Sequence, residues 1–150
     1  MNKYSELIKQ LDLSEHETFW QGAADLKEIA LLEKLISIKL PPSLVSFLRE
    51  CGGGGVIDSE ISGIEDNNAN LTHGGTILGD TLDCRGEFQL PEHLVVIFYK
   101  ENEICWCLDS NTQEEEYKLV NYNLFKKQVD EVISDSFFSF FCEYVEIRTS

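Results

Sequence analysis

Basic residues are scarce in this chain. It holds 12 Lys and Arg against 27 Asp and Glu, a formal charge of −15 at pH 7. Such a surface repels polyanions, so nucleic acid and anionic membrane are poor partners. Histidine is scarcer still: His16, His73 and His93 are scattered and lack the spacing of a ligand set. There is no C-x-x-C. Cys51, Cys84, Cys105, Cys107 and Cys142 are odd in number and dispersed, which argues against a disulfide framework and for thiols in a reducing compartment. No apolar run approaches the ~20 residues that span a bilayer. The first residues carry no continuous apolar stretch of the secretory type, so the cytoplasm is the expected location.

What is present is ordinary globular material. Hydrophobic residues make 43% of 150 residues and aromatics 11%, enough for one domain, 1–150, with a real core. Tyr4, Leu7, Ile8 and Leu11 recur at helical spacing. A second helix is predicted over 25–36, with Leu26, Ile29, Leu32 and Leu35 on its apolar face. A third is predicted over 42–51, where Pro42 suits a first turn and Leu44, Phe47 and Leu48 share a face. Gly52 to Gly55 would end it, since glycine adopts left-handed backbone freely. Phe19 and Trp20 read as packed under the domain. Short strands are predicted at 56–57 and 61–64, a loop at 66–72, a turn at His73-Gly74-Gly75 and a helix over 76–89.

The pattern then turns to β. LVVIFY (94–99) is a continuous apolar run of the kind found in central strands. It should form a hairpin with 104–108, and 116–120 should add a further strand. The segment 126–133 reads as helical. Ser136 should cap a last helix, in which Phe137, Phe138, Phe140, Phe141, Tyr144 and Val145 cover so much of the circumference that it must be buried or bound by a partner. The expected class is α+β: a mostly antiparallel sheet, with N-terminal helices and a closing C-terminal helix packed against it on one face.

Candidate chemistry is thin. Gly52 to Gly55 follow a helix instead of opening one, and no lysine or arginine falls between Arg49 and Arg85, so a phosphate loop is excluded. Asp58-Ser59-Glu60 is only a fragment of a calcium loop. Cys105-Trp106-Cys107 places two thiols on one face of a strand and the indole on the other, which fits small apolar groups in a half-buried strand. His73 is the best catalytic candidate of the histidines, and a Cys–His pair is one conceivable reading. Glu114-Glu115-Glu116 reads most simply as a solvated turn. No cofactor and no metal are expected.

Four segments together resemble the SUKH superfamily of small α+β immunity and regulatory domains. These are ADLKEIALLEKL (24–35), ISIKLPPSLVSFLRECGGGG (36–55), the Leu90-Pro91 strand start followed by ICWCLD (104–109), and SFFSFF (136–141). Residues 67–79 depart from that pattern. The resemblance implies a non-catalytic immunity protein that binds a bacterial toxin, with a regulatory or scaffold domain of the same superfamily as the alternative; a small enzyme using His73 and a cysteine, read from the residues alone, ranks below both. A nuclease-like toxin would be basic, and an acidic inhibitor would complement it. The contacts expected on that reading are Asp58, Glu60, Glu65, Asp66, Asp80 and Asp83, with Glu101 and Glu103 at the edge and Tyr99 or Tyr117 as aromatic anchors.

Overall fold

The computed structural model describes residues 3–111 and 115–150; Glu114 of the acidic run lies outside them. The element order is α1 (Lys3–Asp12), β1 (Thr18–Trp20), α2 (Leu26–Ile36), α3 (Pro42–Cys51), β2 (Gly54–Val56), α4 (Ile77–Phe88), β3 (Leu94–Lys100), β4 (Ile104–Asp109), β5 (Lys118–Asn123), β6 (Gln128–Ser134) and α5 (Phe137–Thr149). β3 to β6 form an antiparallel meander in chain order, and β1 pairs with β2 in a separate two-stranded ribbon. The fold is α+β.

The helices begin and end where their side chains allow. Asp25 accepts the Glu28 N–H, Thr76 the Gly79 N–H and Ser136 the Ser139 N–H, each at the first turn. α3 has no cap from Pro41. Glu116 supplies one from across the fold: its Oε2 accepts the Ser43 N–H at 3.1 Å and its Oε1 the Ser43 hydroxyl at 2.5 Å. At this position the acidic run is therefore not a freely solvated turn. Gly52 stops α3 at φ 77°, with its N–H on the Leu48 carbonyl.

The sheet divides the core. On one face Val95, Ile97, Leu108 and Leu119 join α1, α2, α3 and α5. Tyr4, Phe47, Phe137 and Phe141 form a ring cluster there, with centroid separations of 4.8 to 6.5 Å. On the other face Leu94, Val96, Cys105, Cys107, Val120 and Tyr122 pack with Cys84 of α4. The helices therefore cover both faces, not one. The alternation Ile104, Trp106, Leu108 against Cys105, Cys107 is the strand period written in side chains.

Three further expectations change. β3 is an edge strand, not a central one. Its apolar run is buried because other segments cover its open edge: the Ile97 carbonyl accepts the Ser62 N–H at 2.8 Å, and the Val96 N–H donates to Thr81 Oγ1 at 3.0 Å. The segment 126–133 is a strand, not a helix. Asn123 Oδ1 accepts the N–H groups of Phe125 and Lys126, which turns the chain, and β-branched Val129 and Val132 then pair with Tyr122 and Val120 of β5. Phe19 is 52% exposed; only Trp20 of that pair packs against the core. All five cysteines are free thiols, four of them buried.

Candidate functional site

A cleft of about 300 Å³ opens where four segments converge. β1 delivers Phe19 and, just beyond its end, Gln21. The turn after β2 delivers Asp58, Ser59 and Glu60. Gly74 and Gly75 lead into α4, whose first turn carries Asp80, and the end of β3 contributes Phe98, Tyr99 and Lys100. Glu65 completes the rim. An adjoining hollow shares Gly74, Gly75, Asp80 and Tyr99 and adds Asp83, Glu87 and Glu101.

Of the residues singled out from sequence, Asp58, Glu60, Glu65, Asp80, Asp83, Glu101 and Tyr99 therefore meet in one double hollow. Three do not line it. Asp66 is exposed beside Glu65, and its N–H is tied to the Gln21 carbonyl at 3.0 Å. Glu103 is exposed in the β3–β4 turn. Tyr117 belongs to a different hollow beside α2, where its hydroxyl donates to the Lys39 carbonyl at 2.6 Å.

Asp80 is unlike the other acids. It is 3% exposed. Its Oδ2 accepts the Ser62 hydroxyl at 2.6 Å and its Oδ1 the Gly75 N–H at 3.2 Å. Burial pushes its carboxyl up to about 6, and the nearby Asp83 adds to this, while the bonds from Ser62 and Gly75 pull the other way. It forms no ion pair with Lys or Arg among the described residues. The rim acid Glu65 does have a partner, the Nδ1 of His73 at 2.8 Å. That histidine is bonded to a carboxylate, and no hydrogen bond joins it to a cysteine among the described residues.

Gln21, Phe19 and Glu87 were not legible as site residues. Gln21 is 8% exposed; its Nε2 donates to the Gly75 carbonyl at 2.8 Å, and its Oε1 has no hydrogen-bond partner among the described residues. A lone glutamine after a three-residue strand gives no sequence signal. Phe19 is found by its exposure alone.

The arrangement gathers negative charge under partial cover. Four carboxylates line the main cleft, three more line its neighbour, and among the described residues Lys100 is the lone lysine or arginine lining either. Such a cleft attracts cationic groups and repels anions. No group of three or more His, Cys, Asp or Glu suited to a metal ion occurs among the described residues. Among these residues no helix is long and apolar enough to cross a membrane.

Comparison with protein-family models matches residues 4–146 to SUKH_5, described as SMI1-KNR4 cell-wall. No curated protein matches the sequence.

Proposed function

Because this chain belongs to the SUKH_5 family, we propose that it is a non-catalytic immunity protein, which neutralises a cognate bacterial toxin by binding it through the acidic double hollow. The observation that carries this reading is the convergence of seven carboxylates from four segments on one concave surface with a single lysine. A basic protein is the natural complement of that field, and a nuclease-like toxin is basic because its substrate is a polyanion. By presenting carboxylates in the place of phosphates, the protein would occupy the toxin's substrate groove. Phe19 and Tyr99 beside the acids supply the aromatic surface on which interface energy concentrates. The chain would act in the cytoplasm, where the toxin would do its damage.

The test is calorimetric titration of this protein against the toxin domain encoded next to it, at two salt concentrations. Nanomolar binding that weakens with salt is expected. Replacing Asp58 and Glu60 by lysine should slow association and flatten the salt dependence. No binding would remove the toxin-neutralising reading for that pair. The second reading is a regulatory domain that binds a cellular protein and no toxin. The cell-wall wording of the family description favours it, and capture of a host partner in place of the neighbouring toxin would support it.

A further inference from the structure

The cleft has two features that a general acidic coat does not require. One is a buried, unpartnered acceptor. Gln21 is over nine-tenths buried, its Nε2 is held by the carbonyl of the cleft residue Gly75, and its Oε1 accepts no hydrogen bond from the described residues. An orphaned buried acceptor is uncommon because it loses its water without replacement. The other is a buried carboxylate without a cation. Asp80 uses one lone pair on each oxygen, toward Ser62 and Gly75, which leaves capacity for further donors. Both side chains are tied to Gly75, and both line the cleft. Beside them stand Phe19, half exposed, and Tyr99.

We propose that this cleft is a socket for one arginine side chain of the bound protein, with the guanidinium donating to Asp80 and Gln21 and lying against the aromatic ring of Phe19. The inference rests on the protein-binding reading above and names the group that enters the site. A guanidinium has five donors in a planar fork, cannot lose its charge, and stacks on aromatic faces. It therefore meets all three features at once: two acceptors in need of donors, an unbalanced negative charge, and an exposed ring. An ammonium offers charge without the plane or the fork. The rim acids Asp58 and Glu60 would steer the side chain inward.

The experiment titrates the full-length, isotope-labelled protein with Nα-acetyl-arginine methylamide at low salt, and follows amide resonances by NMR. The matching citrulline and lysine compounds serve as controls. The arginine compound should produce saturable shifts centred on Ser62, Gly74, Gly75 and the Gln21 side chain at millimolar concentration. Citrulline, the neutral isostere, should produce none, and lysine should bind more weakly. Asp80→Asn should abolish saturation, and Phe19→Ala should weaken binding about threefold or more. Phe19 is a surface residue, so its variant remains folded if the isosteric Asp80 variant does not. Equal shifts from citrulline, equal affinity for lysine, shifts spread over the whole acidic surface, or full affinity in the Phe19 variant would each overturn the socket. No toxin enters this experiment. A cleft that takes arginine in a chain that ignores its neighbouring toxin domain removes the toxin reading alone. Toxin binding by a chain whose cleft ignores arginine removes the socket alone.

Discussion

The hydroxyl of Tyr144 accepts the backbone N–H of Val56 at 2.9 Å, across 88 residues of sequence. The same hydroxyl donates to the Ser59 carbonyl at 2.7 Å. One side chain from α5 thus ties down the end of β2 and the turn that carries Asp58 and Glu60 into the cleft. The contact also explains a glycine. Gly55 has φ 136°, and a Cβ there would overlap the Tyr144 hydroxyl.

The Tyr144→Phe variant should keep its ring packing and lose about 1–3 kcal/mol of stability, because the Val56 N–H is left buried without an acceptor. Urea denaturation measures the loss. A change below a few tenths of a kcal/mol would show that water replaces the hydroxyl. Gly55→Ala should be worse, since it combines unfavourable backbone with steric overlap.

The second prediction concerns pH. Asp80 titrates near 6 in the folded chain against an ordinary value of 3.8. Between those values the folded state holds more protons than the unfolded state, so stability falls as pH rises from about 4 through 6. Above that window the cost is roughly 3 kcal/mol, an order-of-magnitude figure for a buried carboxylate. Asp80→Asn removes this contribution. The stability difference, variant minus parent, should therefore increase between pH 4 and pH 7.5. Denaturant midpoints measured across that range decide the matter, and a flat difference would show that Asp80 does not titrate in the window.

The third prediction concerns the thiols. Cys51, Cys84, Cys105 and Cys107 are buried, and Cys142 is partly accessible. Burial pushes the Cys51 thiol up to about 12 and raises that of Cys142 as well. A thiol reagent at pH 8 should label one site slowly in the native protein, at Cys142, and five under denaturing conditions. Rapid native labelling at Cys105 or Cys107 would mean that the α4 face of the sheet opens readily.

The helices were legible wherever period and caps agreed. Leu44, Phe47 and Leu48 followed by Gly52 announce α3, and Ser136 before the phenylalanines announces α5, because each signal acts within a turn or two of its cause. The same is true of the Cys105–Cys107 alternation. Other features depend on partners far away in sequence. The cover on the open edge of β3 comes from Ser62 and Thr81, not from a second flanking strand. The β6 segment shows apolar residues at both spacings, and pairing with β5 chose the strand.

Charge was written in the sequence, and its use was not. The composition alone determined the sign and size of the net charge, −15 at pH 7, since net charge needs no coordinates. Local pattern also determined an α+β domain with a buried closing helix, because periodicity and capping are short-range physics. Only tertiary structure decided that Asp80 turns inward among Ser62 and Gly75 while Asp58 and Glu60 stay on the rim. Only tertiary structure placed Gln21 and Phe19 beside them. Burial and desolvation arise where distant segments cross, and no stretch of sequence carries that crossing by itself.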